Sequence, residues 1–148
     1  MGVLPATATL PDLAATQALA AALAPHLRKG DVVALTGDLG VGKTEFARAV
    51  LRALGVSGDV PSPTFTLLQS YESNGLLISH FDLYRLKSAD ELDELGWDDA
   101  LADGVVLVEW AERAGERMPA NNLTLHFTLE PDGTRRCVTK KNRNWVER

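Results

Sequence analysis

The sequence predicts an α/β fold, and three stretches carry that expectation. An apolar run, Asp31-Val32-Val33-Ala34-Leu35-Thr36, feeds a glycine-rich turn and then a helical pattern from Glu45 to Leu54. Val105-Val106-Leu107-Val108 is unbroken apolar sequence, the pattern of a parallel strand buried on both faces. Asn74-Gly75 lies between two β-type runs, Phe65–Glu72 and Leu76–Asp82, which is the strongest short-range hairpin signal. Together they imply a mixed sheet: a parallel core with antiparallel hairpins added to it.

The remaining elements follow from local signals. Thr7–Leu10 can form a short edge strand. Asp12 is placed as the N-cap of an alanine-rich helix running to about Leu27, with Leu13, Leu19, Leu23 and Leu27 near helical spacing. Pro25 weakens its last turn and Gly30 ends it. Gly55 closes the second helix, and residues 56–64, with Pro61 and Pro63, read as an exposed loop. The capping box Ser88-x-x-Glu91 opens a short acidic helix to about Leu95, which Gly96 stops. A second hairpin pairs Asn122–Glu130 with Arg135–Lys140 across Pro131-Asp132-Gly133. No repeat, low-complexity tract or linker interrupts residues 1–148, so one domain is expected.

Composition narrows the class. At 148 residues, with 45% hydrophobic and 24% charged, the chain can bury a core and reads as a soluble globular protein. The net charge of −5 gives no overall attraction to nucleic acid, so direct DNA or tRNA binding would need a local basic patch. Lys140-Lys141-Asn142-Arg143 is the one candidate, and it also reads as a solvated end. The lone Cys137 excludes an internal disulfide and a cysteine-based zinc site, and it fits a reducing compartment. No run of 18 apolar residues and no basic-then-apolar leader is present, so a cytoplasmic chain with no membrane partner is expected.

The turn after the first apolar run is Gly37-Asp38-Leu39-Gly40-Val41-Gly42-Lys43-Thr44, which fits G-x-x-x-x-G-K-[ST] with a strand before it and a helix after it. The glycines let backbone N–H groups converge on a polyphosphate, and the helix start adds unpaired amides and its positive dipole end. Lys43 would reach the β- and γ-phosphates, and the Thr44 hydroxyl would bind Mg²⁺. In the absence of ligand Lys43 is expected to face solvent. The predicted class is thus a P-loop NTPase-like three-layer sandwich, its ligand at the carboxyl ends of the parallel strands.

Other residues could complete such a site. Glu109 ends the apolar strand Val105–Val108, where a carboxylate can support Mg²⁺ or orient water. In His80-Phe81-Asp82-Leu83-Tyr84-Arg85, strand alternation puts His80, Asp82 and Tyr84 on one face. Asp82 could contact the metal shell or orient water. Arg85 could pair with a carboxylate or phosphate, or make a surface ion pair; His80 reads first as a packed, hydrogen-bonded residue. Ser62-Pro63-Thr64-Phe65-Thr66 resembles loops whose threonine senses γ-phosphate, though Pro and Thr also simply punctuate loops. Trp110 reads equally as a core-edge aromatic and as a neighbour of the nucleotide.

GDLGVGKT, SPTFTL, HFDLYR and LVEW, in this order and at these spacings, resemble the TsaE family (formerly YjeE), from about Leu10 to Glu109. The resemblance implies a small bacterial P-loop ATPase needed to make N6-threonylcarbamoyladenosine in tRNAs. It implies ATP and Mg²⁺ as cofactors, association with the TsaD–TsaB pair, and weak ATP hydrolysis that partners activate and that resets their complex. Transfer chemistry belongs to those partners, and tRNA would be met only through them. By residue, Gly37 to Thr44 would hold the phosphates, Thr44 and Glu109 would serve Mg²⁺, Asp82 would contact the nucleotide–metal site, and Thr64 and Thr66 would belong to a switch-like segment. The residues that follow Trp110 depart from other members, and no residue can be assigned to the adenine.

A small-molecule kinase shares the phosphate loop and could use Asp82 as a base. Such kinases carry an arginine-bearing lid and an acceptor pocket of about 40 or more extra residues. Arg113 and Arg117 are the nearest equivalents here. A guanine-specific GTPase needs Asn-Lys-x-Asp, which does not occur; Lys141-Asn142 reverses the order and lacks the aspartate.

Overall fold

The computed structural model describes residues 4–141. Seven strands form one mixed sheet: β1 (Thr7–Leu10), β2 (Val32–Thr36), β3 (Leu68–Ser73), β4 (Leu76–Asp82), β5 (Gly104–Glu109), β6 (Leu123–Leu129) and β7 (Arg135–Lys141). Their spatial order is β1-β7-β6-β2-β5-β4-β3. The four central strands, β6-β2-β5-β4, run parallel, and the flanking pairs β3–β4, β6–β7 and β1–β7 are antiparallel.

Alternation along the central strands divides the core in two. Val33 and Leu35 of β2, with Val105 and Leu107 of β5, face helices α1 (Leu13–Leu23) and α2 (Lys43–Ala53). Val32, Ala34, Val106 and Val108 face the other way, onto Leu92 of α3 (Glu91–Glu94), Trp97 and Ala100 of α4 (Trp97–Asp103), and Ala111 and Ala114 of a 3₁₀ segment, Ala111–Arg117. The result is the P-loop NTPase-like layering of helix, sheet and helix that the sequence predicts. Every residue of β5 is buried, as its unbroken apolarity requires.

Four local outcomes differ from the sequence reading. The first helix is capped by Asp12, whose side chain accepts from Ala15 N–H at 2.9 Å, but α1 ends at Leu23. Pro25 lacks the N–H that would continue the ladder, so Ala24–His26 tightens into a 3₁₀ turn and Leu27 is extended. Gly30 lies beyond, in the turn that leads to β2. The third strand begins at Leu68 instead of Phe65, because the Leu67 N–H bonds Pro63 O at 2.7 Å and closes a turn over 63–67. Its hairpin nevertheless turns at Asn74 and Gly75, both with positive φ, as the Asn-Gly signal requires. The acidic helix is a single turn, and a further helix, α4, follows directly after Gly96. Of the basic tail, Asn142 and Arg143 lie outside the described residues; Lys140 is exposed on β7.

Candidate active site

Register alone brings the acidic residues together. In the parallel pair of β4 and β5, Asp82 is the Cα partner of Glu109 at the carboxyl ends of both strands. Ile78 of β4 packs in the α1/α2 core and Phe81 in the opposite one, so His80 and Asp82 share the face covered by α2. Glu109 shares it with Val105 and Leu107 for the same reason. The helix covering that face starts at Lys43, immediately after the glycine-rich turn, so Lys43 and Thr44 meet the carboxylates from above. Thr44 Oγ1 donates to Glu109 Oε1 at 2.7 Å.

The turn itself is built on backbone conformations that favour glycine. Gly37 has φ +130°, and a Cβ there would fall 2.3 Å from Phe127 O. Only glycine fits between the turn and β6 without displacing backbone. Gly42 has φ +101° as the residue preceding α2, and the site of its missing Cβ lies 3.3 Å from Arg135 Cδ. Arg135 Nη2 also approaches Gly40 O at 3.5 Å, and its Nη1 lies 3.9 Å from Glu45 Oε2.

A cavity of about 170 Å³ opens at this point, lined by Leu39, Gly40, Gly42, Lys43, Thr44, Glu45, Thr64, Asp82, Tyr84, Glu109 and Trp110. Pockets that bury a whole ligand run to roughly 300–1,000 Å³, so this half-open space is smaller than one. The structure therefore gathers Leu39, Gly40, Gly42, Lys43, Thr44, Thr64, Asp82 and Glu109 around one space. Of the other loop residues, Val41 is packed in the core, Asp38 is exposed at the rim, and Gly37 sits beneath the turn against Phe127. Thr66 is outside the cavity, exposed, and accepts from Gln69 Nε2 at 3.2 Å.

Lys43 does not face solvent as expected; it is only 4% exposed. Its Nζ donates to Gly37 O at 2.5 Å and sits 3.6 Å from the centre of the Trp110 ring. A cation over an indole face is stabilised by the ring quadrupole, which offsets part of its lost hydration. Burial still pushes the Lys43 ammonium below the usual lysine range, against the pull of Glu109, Glu112, Asp82 and Asp38. Trp110 reaches this place because its backbone turns into the left-handed region, φ 57°, directly after β5, and its ring packs on Tyr84 at 4.9 Å between centroids.

Asp82 accepts from Tyr84 N–H at 3.0 Å and from Thr64 Oγ1 at 3.2 Å, while Thr64 also meets Ser62 Oγ at 2.7 Å. Burial raises the Asp82 carboxyl above the usual range and nearby Glu109 adds to it; the Tyr84 N–H, Thr64 and His80 act in opposition. Glu109, 2% exposed, is held on its second oxygen by His80, Oε2 to Nε2 2.7 Å. Arg85 lies over the exposed Phe65 ring at 4.4 Å. Arg117 is engaged by Asp93 at 2.8 Å, away from the cavity wall.

Among the described residues no group of three or more His, Cys, Asp or Glu could cage a metal alone. That suits Mg²⁺, which keeps waters and is typically held by one or two carboxylates plus substrate phosphates. The Thr44 hydroxyl and the adjacent Asp82 and Glu109 carboxylates are oxygen donors of the kind such an ion takes, and the glycine turn offers backbone N–H groups to an anion beside them.

Sequence reasoning missed Arg135, which no local pattern marks; His80 is the packed, hydrogen-bonded residue expected, but its partner Glu109 is set by the β4–β5 register. Leu39, Tyr84, Glu45 and Trp110 on the cavity wall were within reach of the motif and its flanks.

The family model described as threonylcarbamoyl adenosine biosynthesis protein TsaE matches residues 10–138. The chain is 47% identical over 98 residues to the tRNA threonylcarbamoyladenosine biosynthesis protein TsaE of Rickettsia felis, covering 66% of this chain and 57% of that protein. It is 42% identical over 134 residues to the protein of the same name from Rickettsia prowazekii, covering 90% and 93%. The crystal structure of Bacillus subtilis YdiB superposes with a TM-score of 0.78 at 31% identity, covering 94% of this chain and 87% of that one.

Proposed function

The chain belongs to the TsaE family, and from that premise we propose that it is a weak Mg²⁺-dependent ATPase serving threonylcarbamoyladenosine formation on tRNA together with TsaD and TsaB. One observation carries the reading: the loop helix and two strand ends bring Lys43, Thr44, Asp82 and Glu109 to a single cavity. In this reading the chain is a single cytoplasmic domain, and it meets tRNA only through its partners.

The glycine turn and the start of α2 hold the phosphates with backbone amides. Lys43, which rests against Trp110 and Gly37 O, would neutralise the β- and γ-phosphates. Thr44 and Glu109 would hold Mg²⁺, which would neutralise charge developing on the transferred phosphoryl group. Glu109 and Asp82, with both acceptors buried, orient the attacking water. Thr64 reports occupancy through its bond to Asp82.

Calorimetry with ATP and Mg²⁺ tests the site directly. Wild type binds, and Glu109→Ala binds ATP comparably without Mg²⁺ while hydrolysis falls about 10²–10³-fold, the range for losing a positioned base or stabiliser. Equal hydrolysis by both chains, with partners present, would remove Glu109 from the machinery.

A further inference from the structure

Glu109 is held at both of its oxygens. Oε1 accepts from Thr44 Oγ1 at 2.7 Å, and Oε2 lies 2.7 Å from His80 Nε2. A carboxylate only accepts, so Nε2 is the nitrogen that carries the proton in this contact. Both side chains are buried, 1% exposed for His80 and 3% for Glu109, so water does not compete for the bond. The other ring nitrogen, Nδ1, is buried with no partner. An unpartnered buried nitrogen is a cost that a similarly sized apolar residue would avoid, so packing does not account for an imidazole here. What the imidazole adds to this position is one directed bond to Glu109.

That bond has a geometric consequence. The terminal torsion of a glutamate is soft and broad. Tied to α2 through Thr44 and to β4 through His80, the carboxylate cannot turn, and its plane is set by the sheet register that puts His80 beside β5. Groups that orient metal ligands in this way commonly matter as much as a weak ligand does.

We infer that His80 is a positioning residue whose Nε2–H fixes the Glu109 carboxylate against Thr44, and thereby sets the affinity of the site for Mg²⁺. The inference rests on the Mg²⁺–ATP reading of the site. His80 itself touches neither metal nor nucleotide.

Glutamine and asparagine separate its role from packing. At position 80 a glutamine amide reaches the place of Nε2, whereas an asparagine amide reaches only that of Nδ1. The binding of a non-hydrolysable β,γ-imido ATP analogue is measured by calorimetry in EDTA and across a Mg²⁺ series. His80→Gln keeps the apparent Mg²⁺ affinity within about threefold, and His80→Asn lowers it about 10–100-fold. Both bind the analogue in EDTA as wild type does. Imidazole ¹H–¹⁵N spectra of the unmodified chain give a second reading: a slowly exchanging His80 Nε2 proton is expected, and an Nδ1-protonated ring overturns the assignment. Mg²⁺ dependence in wild type that both variants share equally overturns the inference alone. A wild-type chain that binds no better with Mg²⁺ than without it overturns the parent reading as well.

Discussion

Lys43 shows what a single residue contributes and what it costs. The motif assigns it to phosphate from spacing alone, yet its resting place, under Trp110 and against Gly37 O, depends on a strand end 67 positions later in the chain. Lys43→Met keeps the stem that packs on the indole and removes the ammonium. The ligand-free variant is expected to melt no lower than wild type, since burial disfavours the charge, while ATP affinity falls about 10–100-fold, as losing a charge-assisted bond of about 1.5–3 kcal/mol implies. Unchanged affinity in calorimetry of the folded variant would sink the phosphate assignment. Asp82 follows the same logic with the opposite charge. Its folded-state pKa lies above the unfolded one, so ionising it costs stability once the pH rises through that window. Asp82→Asn is therefore expected to raise the melting temperature of the ligand-free chain at pH 7.5, a gain that closes as pH falls toward the ordinary carboxylate range. A gap independent of pH would show that Asp82 carries no such penalty. The residues legible in the sequence were those whose chemistry is written in short spacing. The His80–Glu109 contact spans 29 positions and the Arg135–Gly40 contact 95, and only strand pairing reveals them.

At the scale of elements, legibility tracks how local the governing force is. The Asp12 cap, the Asn74-Gly75 turn and β5 were readable because a capping side chain, a positive φ and unbroken apolarity act over a few residues. Helix α4 is readable too: Trp97, Ala100 and Leu101 fall at i, i+3 and i+4, although Gly96 before them reads locally as a stop. The segment 63–67 was not. Its β-type residues are bent into a turn that the Leu67 N–H closes locally on Pro63 O, and Thr64 ties that turn to Asp82, 18 positions away, a contact no local pattern announces. Helix α2 grips the approach to this segment as well, Arg48 Nε bonding Val60 O at 3.1 Å and Arg52 Nη1 bonding Val56 O at 3.1 Å. The loop is thus tied to helix α2 at one end and to Asp82 at the other. Thr64→Ala cuts the second tie. Mg²⁺–nucleotide affinity is expected to stay within about threefold, and hydrolysis in the presence of TsaD and TsaB to fall about tenfold or more, the scale of a bond to a charged group. Loss of affinity with hydrolysis per bound nucleotide unchanged would make Thr64 a binding contact only.

For the whole molecule, sheet order matters more than any one motif. The sequence implied a parallel core with hairpins at its edges, and the order β6-β2-β5-β4 is that core, but which strands neighbour each other is a non-local outcome that periodicity does not encode. Its effect is to put the ends of β2, β5 and β4 side by side, so that loop, carboxylates and the 63–67 turn share one rim. Among the described residues no arginine lines the cavity. Arg135 approaches the glycine turn from β7, 3.5 Å from Gly40 O and 3.9 Å from Glu45, with its side chain 36% exposed. In phosphoryl transfer a missing arginine costs about 10³–10⁵ in rate and can be supplied by a second protein. Leu39 and Tyr84 line the cavity and are exposed, and the exposed Phe65 follows Thr64, which also lines it, so a partner docking there could meet all three. The isolated chain is therefore expected to hydrolyse ATP slowly and to accelerate at least tenfold when TsaD and TsaB are added together. Steady-state phosphate release, alone and with both partners, measures this, with Phe65→Ser as a variant that should blunt the acceleration and leave the basal rate in place. Rapid turnover by the lone chain, or partners without effect on the wild type, would defeat partner gating and leave an enzyme complete in itself.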